Sequence, residues 1–126
     1  MNEKQKEVMQ ARETAINFLM YPKLKKAKGQ MGKANGSRCC LGHMCKALNI
    51  NFINEEHHSF ELAEKLKMHK QDGSNLLEVP ILNSPYYCLM LLNDETSASP
   101  QDIGKYLKSV IKGGEDTPFI HIDEFK

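Results

Sequence analysis

Tryptophan is missing from this chain, and aromatic residues make up only 7% of its 126 positions. A core built here must therefore draw on leucine, isoleucine, methionine and small residues rather than on large rings. Long apolar runs are missing too, since nowhere do the roughly 18 apolar residues of a membrane span occur together. The opening segment, MNEKQKEVMQ, carries acids and has no apolar h-region, which argues against a secretory signal. The expected compartment is the cytoplasm, with no membrane partner.

One-sided charge is absent overall. The net charge of +1 disfavours the globally basic balance of most nucleic-acid binders, although nucleic acid stays open as a partner. Disulfides are not expected either. Cys39 and Cys40 are adjacent and so rarely satisfy disulfide geometry with each other, and cytosolic thiols stay reduced.

What is present is uneven. Hydrophobic residues at 40% and charged residues at 26% fit a single globular domain over 1–126, with no internal repeat. The stretch Gly29–Leu48, GQMGKANGSRCCLGHMCKAL, holds three of the four cysteines and half of the eight glycines. It overlaps a cationic run in which Lys23, Lys25, Lys26, Lys28, Lys33 and Arg38 occur without one acid. The near-neutral total thus conceals a local concentration of positive charge, at which an anion site is expected.

Periodicity predicts a mainly α, compact domain of four or five helices with minor β structure. Val8, Ala11, Ala15, Phe18 and Leu19 form an apolar stripe over residues 3–20, with Arg12 among the charges of the solvated face. Pro22 closes that helix. Residues 23–37 read as a long basic, Gly-rich loop with a turn at Asn35-Gly36. Ser37 is the expected N-cap of a helix to Asn49, with Leu41, Met44, Cys45 and Leu48 inward. Gly42 inside it costs about 1 kcal/mol against alanine, which suggests a close backbone neighbour.

Further on, Ser59 opens a helix to about His69, and Tyr87–Leu92 reads as helix ended by Asn93-Asp94. Pro80 argues against a central strand over 76–82. Ser99, Pro100 and Asp102 make the clearest start signal, followed by the stripe Ile103, Tyr106, Leu107, Val110 and Ile111 and a stop at Gly113-Gly114. Residues 113–126 form an extended tail that adds an edge strand or packs against the body.

Several chemistries compete for the central stretch. Glycines let backbone N–H groups approach a phosphate, and a helix N-terminus offers unpaired donors, so an anionic, nucleotide-like ligand is the leading candidate. GQMGKANGSR lacks the spacing and the ending of a Walker A loop. A thiol at Cys39 or Cys40, in the first helical turn beside Arg38, would have a lowered pKa and is the alternative of a cysteine-dependent enzyme. His43, His57, His58 and His121 are the available bases. Against it stands the tendency of free cysteine to be buried as a small core residue. Zinc is disfavoured: Cys39 and His43 share a helix face, but no second ligand pair with regular spacing exists. No cofactor is implied.

With Arg38-Cys39-Cys40-Leu41-Gly42 and Leu92-Asn93-Asp94-Glu95 in view, the chain resembles a family of small, mostly uncharacterised proteins of tailed bacteriophages and prophages. Its hallmark is a Gly-rich approach to Cys-Cys-Leu-Gly, a third cysteine, then Leu-Asn-Asp and a Ser-capped helix. The matching pieces here are Gly29, Cys39 to Gly42, Cys45, Leu92 to Asp94, and Ser99 with Ile103. The resemblance covers most of residues 10 to 111 in order, although only two short blocks are distinctive.

His43-Met44 departs from the small aliphatics of the family pattern, Pro100 stands where an aromatic is common, and residues 51–87 match nothing specific. The resemblance supplies no catalytic residues. It implies a phage or mobile-element accessory protein working in the host cytoplasm. Such a protein would bind a host component or a small anionic ligand without catalysis, and in doing so counter host defence. Lys28, Lys33, Arg38, Asn93 and Asp94 form the expected ligand set, with Asn93-Asp94 as either a turn or a support for the Gly-rich loop. A purely structural or interaction protein is the further alternative, and an oligomer is open.

Overall fold

A computed structural model describes residues 2–26, 39–50, 55–68, 93, 96–113 and 119 of the chain, with the side chains of 55–60, 110, 112 and 113 outside the description. Among the described residues there are four helices and no strand: α1 (Glu3–Leu19), α2 (Cys40–Ala47), α3 (Glu55–Leu66) and α4 (Pro100–Gly113). The mainly α class is as expected. The expected elements over 51–54 and 76–92, the turn at Asn35-Gly36 and all of the tail but Phe119 lie outside the described residues.

The first helix, α1, is the hub, packing against α2, α3 and α4 in turn, while α2 also meets α3. It opens on a reciprocal capping box. Asn2 Oδ1 accepts from the Gln5 backbone N–H at 2.8 Å, and Gln5 Oε1 accepts from the Asn2 N–H at 2.8 Å. Two of the four orphan donors of the helix start are thereby satisfied. Its buried face runs Gln5, Val8, Arg12, Ala15, Ile16 and Leu19.

Arg12 corrects the sequence reading: it lies in the core, only 3% exposed. Its Nε donates to the Leu66 carbonyl at 2.8 Å and its Nη2 to the Lys67 carbonyl at 3.4 Å, while the guanidinium sits 4.5 Å from the centroid of the Phe119 ring. Arg12 thus closes the C-terminus of α3, where unpaired carbonyls and the negative dipole end favour a cation. Burial pulls its pKa down to about 10, still far above neutrality.

Helices α2 and α3 end in the same way. After α2, Asn49 takes a left-handed φ of 58°, its N–H bonds to the Lys46 carbonyl, and the Ile50 N–H reaches back to Cys45 at 2.8 Å. After α3, Lys67 takes φ 50°, bonds to Glu64, and the Met68 N–H reaches Ala63 at 3.0 Å. Both are Schellman motifs, which pair the last carbonyls and fold the next apolar residue inward. Ile50 and Met68 are accordingly buried.

Helix α4 follows the sequence reading closely at its start. Ser99 Oγ accepts from the Asp102 N–H at 3.1 Å, and Asp102 Oδ2 accepts from the Ser99 N–H at 3.0 Å. These hydrogen bonds hold the Asp102 carboxyl below its ordinary range. Ile103 and Leu107 are fully buried. Between them Gly104 lets α4 cross α1 closely, since a Cβ there would stand 2.8 Å from Met20 Cγ, 3.0 Å from Leu19 Cβ and 3.2 Å from the Ile16 carbonyl oxygen.

Two expected boundaries move. Helix α3 begins at Glu55, so Ser59 lies inside it rather than capping it, and it ends at Leu66 rather than His69. Helix α2 begins at Cys40 with Cys39 as N-cap, two residues later than a Ser37 cap implies, and Leu48 rather than Asn49 is its C-cap.

Candidate functional site

The late start of α2 has a tertiary cause. Cys39 makes no side-chain capping bond, and the first helical donor, the Cys40 N–H, is taken at 3.0 Å by Asn93 Oδ1 from 53 residues away. Asn93 is fully buried. The two distinctive blocks of the sequence therefore meet as a helix and the side chain that satisfies its first donor.

The same end of the molecule receives the chain leaving α1. Segment Tyr21–Lys26 lies outside the helices, with an isolated β-bridge at Lys26, and it is tied from two helices. Gln101 Nε2, on α4, donates to the Tyr21 carbonyl at 2.7 Å and to the Leu24 carbonyl at 3.4 Å. His43, fully buried on α2, has its Nε2 2.7 Å from the Lys25 carbonyl oxygen. A carbonyl only accepts, so this nitrogen carries the proton. Phe18 flanks the imidazole, ring centroids 6.3 Å apart. Lys26 Nζ then donates at 2.7 Å to the carbonyl of Thr96, whose own hydroxyl accepts from the Ala98 N–H at 3.0 Å.

Segments 21–26 and 96–101 and helix α2 are thus bound into one bracket, with Asn93 fastening the helix start. Residue 26 leaves from this bracket and residue 39 returns to it, and the sequence between them contains Lys28, Lys33 and Arg38 with no acid. Those three residues, and Asp94, lie outside the described residues. Lys23, Lys25 and Tyr21, at the edge of the bracket, are exposed.

The described thiols sit behind the bracket. Cys39, Cys40 and Cys45 are in no disulfide and are buried, Cys40 and Cys45 completely. Burial first, then the nearby Cys39 and Glu61, pushes the Cys45 thiol up to about 12. These residues pack with Leu41, Met44 and Ile50 in the main apolar cluster. Among the described residues no group of three or more His, Cys, Asp or Glu is placed to hold a metal ion. Of the other histidines weighed as bases, His57, His58 and His121 have no described side chain.

A separate groove of about 340 Å³ lies between the N-terminal half of α1, Leu48 and the end of α3, with Val8 and Ala11 in its lining and Glu7, Glu64 and Lys65 among its charges. Among the described residues no helix is long and apolar enough to cross a membrane.

Sequence reasoning singled out Asn93 and the basic stretch but missed Gln101, Thr96 and the part played by His43. Gln101 carries no signal of its own, being one polar residue in the first turn of a helix. Comparison with protein-family models, curated proteins and solved structures returns no match.

Proposed function

We propose that this chain is a non-enzymatic binding protein whose basic stretch, with Lys28, Lys33 and Arg38, takes a small anionic ligand of the nucleotide type. Its setting is that of a phage or mobile-element accessory protein acting against host defence. One observation carries the reading: the acid-free basic stretch leaves and re-enters the core at a hydrogen-bonded bracket built by His43, Gln101, Lys26 and Asn93. A loop that is merely solvated needs no such base, because water satisfies its backbone as well. The alternative of a cysteine nucleophile needs an accessible thiolate, and burial of Cys39 and Cys40 weighs against it.

The test is thermal unfolding with nucleoside triphosphates and inorganic tripolyphosphate, comparing the wild type with Lys33→Ala/Arg38→Ala. A ligand at a hundredfold excess over Kd stabilises the folded state by about 2.7 kcal/mol, so its effect on Tm is readily seen. The expected result is a shift in the wild type that the double variant loses. Equal shifts in both proteins refute the basic stretch as the site, and rapid iodoacetamide labelling of native Cys39 or Cys40 would favour the enzyme instead.

A further inference from the structure

We infer that His43 and Gln101 are positioning residues of this anion site, fixing the backbone from which the basic stretch departs without touching the ligand themselves. The inference rests on the anion-binding reading above. Three successive points on segment 21–26, the carbonyls of Tyr21, Leu24 and Lys25, receive donors from side chains on two different helices. A fourth bond from Lys26 to Thr96 fastens the end of the segment. Meanwhile the side chains of Lys23 and Lys25 remain exposed. The backbone is held while its cations face water, which is the arrangement that lowers the ordering cost of anion capture.

His43 is the sharper of the two. Its imidazole is wholly buried, and its Nε2–H is spent on a backbone carbonyl of the departing segment. A group that only filled space there would be served by an apolar ring. The ligand class this arrangement suits is an oligophosphate, whose several charges match lysines presented from a stiff strap.

Hydrogen exchange and calorimetric titration with inorganic tripolyphosphate, run on His43→Phe, His43→Gln and Gln101→Ala, test the assignment. Phenylalanine keeps the ring volume and removes the donor; glutamine restores a donor at about the reach of Nε2. In His43→Phe, exchange across residues 21–26 should rise by up to about tenfold, the equivalent of one buried hydrogen bond, with α1 and α4 unchanged. Tripolyphosphate affinity should fall by a similar factor, and His43→Gln should recover both.

If His43→Phe does not fold, Gln101→Ala reads the same two quantities from a half-buried position. Exchange that rises equally over every helix, a glutamine variant no better than phenylalanine, or full affinity despite a loosened segment would each overturn the positioning role while leaving the anion site standing. Failure of the wild type to bind tripolyphosphate at all would overturn the oligophosphate assignment. Positioning of ligand would then fall with it, whatever the exchange pattern.

Discussion

The side-chain oxygen of Asn93 holds the backbone N–H of Cys40 at 3.0 Å, joining two residues 53 apart in sequence in the buried interior. Removing that acceptor strands a donor at the start of an eight-residue helix. Asn93→Ala is expected to lower unfolding stability by about 1–3 kcal/mol, the usual cost of a lost cap or an unsatisfied buried donor. Urea unfolding followed by circular dichroism measures it. An unchanged midpoint would mean that α2 does not depend on this bond.

Gly104 offers a test with opposite signs. In an exposed helix, Gly→Ala stabilises by about 1 kcal/mol. Here the added Cβ would press on Leu19, Met20 and the Ile16 carbonyl, and the carbonyl belongs to backbone that cannot step aside alone. Overpacking of this kind costs about 1–3 kcal/mol, so Gly104→Ala should destabilise on balance. A raised Tm would show that α1 and α4 separate easily.

Cys45 sets an alkaline limit. Its thiol ionises near 9.0 in the unfolded chain but only near 12 when folded. Between those values the unfolded state has lost a proton that the folded state keeps, so rising pH favours unfolding. Stability from this group is complete below pH 9 and falls above it, with a slope approaching about 1.4 kcal/mol per pH unit. Urea midpoints from pH 8 to 10.5 should decline, and Cys45→Ala should flatten the decline by one proton's worth.

Lys67 should be improvable. It holds a left-handed backbone, φ 50°, that a side chain adopts at a cost and glycine adopts freely. Its ion pair with Glu64 is made at an exposed carboxylate, but the Lys67 side chain itself is only 11% exposed, so glycine also gives up the packing of its stem. Relief of the backbone offsets that loss, and Lys67→Gly is expected to raise stability by no more than about 0.5 kcal/mol, read from the same urea midpoint. Its carbonyl, which receives Arg12, is untouched by the change.

How much was legible in the sequence follows from how local each cause is. Ser99, Pro100 and Asp102 lie within four residues, and the capping box they announce is present. The start of α2 was misplaced because its first donor is satisfied by Asn93 rather than by a neighbouring serine. Arg12 read as solvated because the carbonyls and the ring that draw it inward belong to residues 66, 67 and 119. Gly104 was invisible to an apolar count, since its part is to be small. At the candidate site, composition singled out the basic stretch, whereas Asn93 was singled out only by the Leu-Asn-Asp block of the family resemblance. Nothing in the pattern of letters joins His43 or Gln101 to segment 21–26, because each acts on a backbone carbonyl, which every residue has.

The bond from Asn93 to Cys40 also bears on the order of folding. Eight residues are too few to hold a helix in water unaided. Helix α2 must wait for a distant side chain, and closing so long a stretch of chain is entropically slow. The 17-residue α1 and the 14-residue α4, each with its own local capping box, carry no such delay. The Cys-Cys-Leu-Gly helix is thus expected to assemble late, onto a preformed pairing of α1 and α4. Its substitutions would then speed unfolding far more than they slow folding.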